Sequence, residues 1–232
     1  MEPIVDVIIP AYIPSPIYLK LLRRAFQSLE KQTMTDFKTS LVLNGGFCSK
    51  EDVLSEIKFY KYLDRLTVHD MGTKASGAAA RNYGIQRSTS KYIAQLDVDD
   101  AYMPEKLAKQ VEHMENNTEC SILGTLKADI DKHQNVIHCP TYYHQTHEQI
   151  VADIEKFCVL SHGTVMLRAD IFKKLNIYYD EIQKPLTVWP MYPNTLMAED
   201  WDLWIRMIKK GAKAYILQEK LYVYTVGTSV ER

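Results

Sequence analysis

The amino-acid sequence predicts an α/β protein with a single central, mostly parallel sheet flanked by helices. Two observations carry this prediction. Strand-like and helix-like apolar patterns alternate along the first hundred residues, as they do in doubly wound sheets. The 232-residue chain also contains no internal repeat and no Gly/Ser-rich linker, so we expect one domain over residues 1–232.

The composition narrows the class of protein. With 46% hydrophobic and 25% charged residues, the chain has an ordinary globular composition. A net charge of −1 without a basic run predicts no nucleic-acid partner. No apolar stretch approaches the length of a transmembrane segment, and the first residues are acidic where a signal peptide would be basic. We therefore expect a soluble, cytoplasmic protein, either free or peripheral to a membrane; the sequence makes no prediction of its oligomeric state.

Four strands and three helices are predicted in the first half. The strands are apolar or β-branched runs at residues 5–9, 38–43, 66–69 and 92–96. We expect the first of them to end at Pro10. The helices are predicted from Ser15-Pro16 as an N-cap and first helical residue, from the capping pair Ser49 and Asp52, and from an Ala-rich run at residues 75–86.

The second half of the chain is patterned less regularly. Helical spacing follows Pro104 and recurs at residues 147–157 and 199–210, strand-like runs occur at 163–167 and 215–224, and 178–197 show no clear period. No linker separates the two halves. We therefore expect both to share one continuous sheet.

An acidic run follows the fourth predicted strand directly: Asp97-Val98-Asp99-Asp100. Ligands of such sheets bind beyond the carboxyl ends of the strands. Three carboxylates this close would have raised pKa values unless a cation neutralised them. On extended backbone, Asp97 and Asp99 project to the same side and could flank one divalent cation that bridges a diphosphate. The alternative is a surface turn in which Asp100 caps the next helix.

Five segments in order resemble family 2 glycosyltransferases of the GT-A fold. They are Ile9-Pro10-Ala11-Tyr12 and residues 77–85, 96–100, 162–168 and 198–206. The resemblance spans about residues 5–224. It implies an inverting, metal-dependent hexosyltransferase that uses a nucleotide-diphosphate sugar, most simply a UDP-sugar, and a hydroxyl of a carbohydrate acceptor. About residues 1–100 would form the nucleotide-sugar-binding half, and about 101–232 the acceptor-binding half.

The resemblance also implies which residues hold the donor. Tyr12 would lie against the base, with Pro10 and Ala11 shaping the strand-end backbone. Arg81 would meet the base or the diphosphate. In the acidic run, Asp97 and Val98 would line the ribose or base, and Asp99 would bind Mn2+ or Mg2+, with Asp97 and Asp100 as further ligands.

On the acceptor side, Asp200 would be the general base that deprotonates the acceptor hydroxyl. The adjacent Glu199 is the alternative base. Trp189, Trp201 and His162 are candidate acceptor contacts. For Trp201, packing in the core is the competing interpretation, because indoles at helical spacing are often buried.

Two departures from the family pattern stand out. Asn44 ends the second strand where relatives usually carry a base-reading Asp, and the late strand at 222–229 lacks the Arg and His that many relatives place near the metal. A non-catalytic module that binds nucleotide sugars or glycans is therefore an alternative. A sugar-1-phosphate nucleotidyltransferase is a weaker one, because it would need a glycine-rich loop where this chain has Pro-Ala-Tyr-Ile-Pro.

Overall fold

The computed structural model describes residues 2–139, 144–181 and 198–228. The strands are β1 (Val5–Ile13), β2 (Phe37–Gly46), β3 (Leu66–Asp70), β4 (Tyr92–Gln95), β5 (Ala101–Tyr102), β6 (Cys120–Ile130), β7 (Val136–His138), β8 (Met166–Arg168) and β9 (Lys213–Thr225). The helices are α1 (Pro16–Glu30), α2 (Lys50–Ile57), α3 (Gly77–Arg87), α4 (Lys106–Asn116), α5 (His147–Asp153), α6 (Asp170–Leu175) and α7 (Glu199–Lys209). Within these ranges, no helix is both long enough and apolar enough to cross a membrane.

The nine strands of the described residues join one sheet in the order β3-β2-β1-β4-β8-β6-β9-β5, with β7 added beside β6. Strands β1 to β4 pair in parallel, whereas β8 is antiparallel to both β4 and β6. Strand β9 is parallel to β6. The predicted central sheet is thus confirmed, parallel in its first half and mixed in its second. It also follows that β1–β4, β6 and β9 all end at the same edge.

Helices cover both faces of the sheet, and β1 shows how the sequence assigns them. Val5, Val7 and Ile9 are fully buried in the core beneath α1, α2 and α4. Ile8 belongs to the core on the other face, beneath α3, α5, α6 and α7. A strand buried on both faces reads as an unbroken apolar run, which is why residues 5–9 carry no polar alternation except Asp6.

Four predicted boundaries were wrong. Strand β2, predicted at residues 38–43, continues to Gly46. Strand β1 continues through Pro10 to Ile13. The main-chain groups of Ile8 and Pro10 face the same side of β1, toward β4, and the pairing of β1 with β4 ends at Ile8 and Gln95. Pro10 therefore lies where β4 needs no N–H from β1, and the strand tolerates a proline there. The predicted strand at 163–167 is a 3-10 turn, His162–Thr164, followed by β8. The predicted helix at 147–157 ends at Asp153.

Candidate active site

Arg81 of α3 is the centre of the candidate site. Its side chain is buried, and its Nη2 donates to Oδ1 of Asp97 at 2.7 Å while its Nη1 donates to Oε1 of Glu199. Gly77, one turn earlier, leaves room for the Arg81 guanidinium, because a Cβ at Gly77 would lie 2.8 Å from Nη1 of Arg81. The ion pairs therefore join the acidic loop after β4 to the start of α7.

The charges in this cluster stabilise one another. Burial alone would raise the pKa of Asp97, but the Arg81 guanidinium and the His162 ring hold it below its ordinary value. Burial alone would lower the pKa of Arg81, and the carboxylates of Asp97 and Glu199 hold it above its ordinary value. Arg81 is thus committed to two protein carboxylates, and its expected direct contact with a base or diphosphate does not fit this arrangement.

Asp200 and His162 lie beside this ion-pair cluster. Nδ1 of His162 is 3.8 Å from Oδ2 of Asp97, and its Nε2 is 2.7 Å from the hydroxyl of Tyr179. Burial raises the pKa of Asp200, although the His162 ring partly offsets this. Asp200 is half-buried, whereas Glu199 is 9% exposed and bound to Arg81. Of the two candidate bases, the geometry therefore favours Asp200.

Asp100 is bound by β9 and does not fit the expected role of an extra metal ligand. It is buried, and its two carboxylate oxygens accept hydrogen bonds from the Tyr222 hydroxyl at 2.6 Å and the Thr225 N–H at 2.7 Å. Burial, together with the neighbouring Asp99 and Asp97, raises its pKa well above the ordinary value. Asp100 thus anchors the acidic loop to the last strand.

Asp99, like Asp97, is half-buried. Its Oδ2 accepts a hydrogen bond from the Thr228 hydroxyl, and burial followed by the charge of Asp97 raises its pKa. A cation at this position would relieve that unfavourable charge.

The sequence did not single out Arg24 of α1. Its Nη2 donates to the main-chain carbonyl of Asp99 and to the Thr225 hydroxyl. A guanidinium therefore does lie beside the acidic loop, although the late strand supplies neither Arg nor His. Arg24 sits in the first helix, between apolar positions, and nothing in its local pattern distinguishes it from a solvated helix arginine.

A pocket of about 450 Å³ opens at the carboxyl ends of β1, β2 and β3. Ala11 and Tyr12 line it, and the Lys74 ammonium lies 5.3 Å from the centre of the Tyr12 ring. Asn44 is buried at the end of β2, where its Nδ2 donates to the Ala75 carbonyl at 2.8 Å. Its Oδ1 is buried and accepts no hydrogen bond from the described residues, and Asn44 is not among the residues that line the pocket.

The remaining predicted site residues lie elsewhere. Trp201 is 6% exposed, and its indole N–H donates to the Ile154 carbonyl, so the structure favours the competing interpretation that it packs in the core. Val98 is likewise a core side chain. Pro10 lies within β1, just before the pocket. Trp189 is outside the described residues.

Replacing Gly163 with alanine should weaken the anchoring of Asp100. A Cβ at Gly163 would lie 1.9 Å from the hydroxyl oxygen of Tyr222, which donates to Asp100. Overpacking of this kind typically costs about 1–3 kcal/mol, and we expect urea denaturation to report a loss in that range. Gly124→Ala is the matched control, since its Cβ would approach a terminal methyl of Leu160, which can shift, and would otherwise be at ordinary contact distance from Ile216 and Thr164. Equal stability losses in the two variants would contradict this account.

Solved structures share this fold along nearly the whole chain. S. aureus TarS 1-349 in complex with UDP-GlcNAc superposes with a TM-score of 0.74 at 18% identity, over 97% of this chain and 59% of that one. Mannosyltransferase PcManGT from Pyrobaculum calidifontis, in complex with GDP-Man and Mn2+, superposes with a TM-score of 0.69 at 13% identity, over 98% and 58%. The fold is therefore that of GT-A glycosyltransferases, as predicted. The chain spans about 60% of the length of these solved chains.

Sequence comparison gives the family. An uncharacterized glycosyltransferase of Methanocaldococcus jannaschii is 29% identical over 230 residues, which is 97% of this chain and 71% of the relative. The model of glycosyl transferase family 2 matches residues 6–175. The chain belongs to that family, and the predicted class of transferase is confirmed.

Proposed function

We propose that this protein transfers a hexose from a nucleotide-diphosphate sugar, most simply a UDP-sugar, to a hydroxyl of a glycan acceptor with inversion. The Asp97–Arg81–Glu199 ion-pair chain carries the proposal. It joins the strand-end loop, where a donor would bind, to the residue directly before Asp200. UDP-GlcNAc in the TarS structure and GDP-Man in the PcManGT structure support a nucleotide-sugar donor.

Asp200 would take the proton from the acceptor hydroxyl as that oxygen attacks the anomeric carbon of the donor. Direct attack from the side opposite the leaving nucleotide inverts the anomeric configuration. The half-buried position of Asp200 suits this work, because the carboxylate is reachable and its raised pKa makes it a stronger base than an ordinary aspartate. His162, beside Asp97 and Asp200, lies where the two substrates would meet.

A divalent cation fits Asp99 better than the other carboxylates. Asp97 is paired with Arg81 and Asp100 with β9, and the described residues contain no group of three acidic, His or Cys side chains suited to a metal. Mg2+ is commonly held by one or two carboxylates together with substrate phosphates and water. Asp99 would thus hold Mn2+ or Mg2+ only together with the donor diphosphate, and such an ion would offset negative charge on the leaving group.

Melting temperatures measured with UDP, GDP, dTDP and CDP, each with Mn2+ or EDTA, test the donor class. A ligand at about a hundred times its Kd adds about 2.7 kcal/mol to the free energy of unfolding. We expect one nucleotide to raise the melting temperature with Mn2+, and EDTA or the Asp99→Ala substitution to remove that shift. If no nucleotide stabilises the protein, the donor proposal is wrong, and a non-catalytic glycan-binding module becomes the leading alternative. A shift that Asp99→Ala leaves intact would remove the metal role from that residue.

The pH dependence of kcat should report the raised pKa of Asp200. The base must be ionised to accept a proton, so kcat is expected to rise with pH through this pKa and then level off. Because burial raises it, the midpoint should lie above the 3.8 of an ordinary aspartate. The measurement is kcat at saturating donor and acceptor, which reports groups in the bound complex. A midpoint at or below the ordinary value would contradict the assignment.

A further inference from the structure

Phe47 follows β2 at the mouth of the strand-end pocket and is 74% exposed. It has the highest exposure of the large hydrophobic side chains in the described part of the chain. Burying a phenylalanine side chain is favourable relative to leaving it in water. Folding alone therefore gives no reason for an aromatic ring at this position.

The loop that carries Phe47 is tightly constrained. Gly45 and Gly46 have φ angles of +102° and +127°, which favour glycine. A Cβ at Gly46 would lie 2.3 Å from the Ile13 carbonyl oxygen, and one at Gly45 would lie 2.9 Å from Cα of Lys74. The Phe47 N–H then donates to that same Ile13 oxygen at 2.6 Å. The backbone thus fixes the main chain of Phe47 at the pocket, and the residue is part of the pocket lining.

The rest of the pocket suits a flat aromatic ligand. Tyr12 is a second aromatic residue in its lining, and the Lys74 ammonium already lies over the Tyr12 ring. The exposed ring of Phe47 is not covered in this way by any cation or aromatic ring of the described residues. Aromatic rings gain from stacking on one another beyond the area they bury.

We propose that Phe47 is the stacking residue for the nucleobase of the donor. This inference rests on the proposed function, because it requires a nucleotide in the strand-end pocket. Every base offers a π face, so stacking contributes affinity without selecting a particular base. Phe47 would then distinguish nucleotides from base-free diphosphates without discriminating among the bases.

Calorimetric titration of UDP, GDP and inorganic pyrophosphate, each with Mn2+, tests the inference on wild type and Phe47→Ala. Removing one base–aromatic stack costs about 1–3 kcal/mol, which is a rise in Kd of about 5- to 150-fold. We expect a rise in this range for whichever nucleotide wild type binds, and no change for pyrophosphate. Leu63→Ala is the matched control, because Leu63 is 45% exposed and outside the pocket lining; it should leave every Kd unchanged.

Phe47→Trp supplies a direct spectroscopic readout. A nucleobase stacked on this indole should quench a fluorescence component that wild type lacks, and pyrophosphate should not. If wild type binds the nucleotide and Phe47→Ala binds it equally well, the inference is wrong while the proposed function stands. A parallel loss of pyrophosphate binding in Phe47→Ala would also overturn it, since Phe47 would then support the conformation of its loop and not bind the base. If wild type binds no nucleotide, both fail.

Discussion

Replacing Asp200 with asparagine is expected to remove sugar transfer while leaving donor affinity unchanged. An amide has nearly the shape of the carboxylate but cannot accept the proton of the acceptor hydroxyl. General-base catalysis typically contributes about 10²- to 10⁴-fold to the rate, so kcat should fall by that factor. Donor binding should persist, because the Asp97–Arg81–Glu199 ion pairs do not include Asp200. Steady-state kinetics and donor titration on the same preparation measure both quantities.

Asp202→Asn is the control for this substitution. Asp202 lies on the same turn of α7, where it accepts a hydrogen bond from Nε of Arg206 at 2.7 Å, and its loss should leave kcat close to that of wild type. Turnover retained in Asp200→Asn would move the base to Glu199 or elsewhere. Glu199→Gln then decides between them, because it preserves an oxygen that can accept from Arg81 but removes a titratable carboxylate.

The Arg81→Met substitution should produce the largest loss of stability. It leaves the buried carboxylate of Glu199 and the half-buried carboxylate of Asp97 without their shared cation. Removing one partner of a buried ion pair costs about 3–5 kcal/mol. Urea denaturation should show a loss of that size, accompanied by loss of donor binding, since the acidic loop is no longer tied to α7.

Arg23→Met is the matched control, because Arg23 forms an exposed pair with Glu56 at 3.1 Å. Such surface pairs contribute about 0–1 kcal/mol. The double variant Arg81→Met/Glu199→Met should recover part of the loss, since it removes one of the two unpaired carboxylates. If Arg81→Met costs no more than Arg23→Met, the ion-pair chain does not hold the site together.

Much of the fold could be predicted because its signals are local. The buried run at residues 5–9, the capping pair Ser49 and Asp52, and the Ala-rich stretch of α3 each fix an element within a few residues. The ordered motifs then indicated the family. Strand β6 was not predicted, although residues 122–126 are mainly apolar, because its long pairing with β9 joins residues far apart in the sequence.

The site was predictable in its residue types but not in its pairings. The sequence places Asp97, Arg81 and Glu199 among the candidates, yet Arg81 and Glu199 are 118 positions apart and no local pattern shows that they meet. The burial of Trp201 and the position of Arg24 beside Asp99 likewise depend on tertiary packing. Phe47 follows two glycines, a local signal of a turn, but its exposure at a pocket appears only in three dimensions.

The most direct test of the account is a crystal structure of the protein with UDP and Mn2+, or with whichever nucleotide stabilises it, including anomalous data at the manganese edge. The account predicts the base in the pocket between Tyr12 and Phe47, the metal bound by Asp99, and Arg81 still joined to Asp97 and Glu199. Manganese on Asp100, or Arg81 turned away from its two carboxylates to the diphosphate, would contradict the assigned roles. A nucleotide bound away from the ends of β1 to β4 would contradict the central claim.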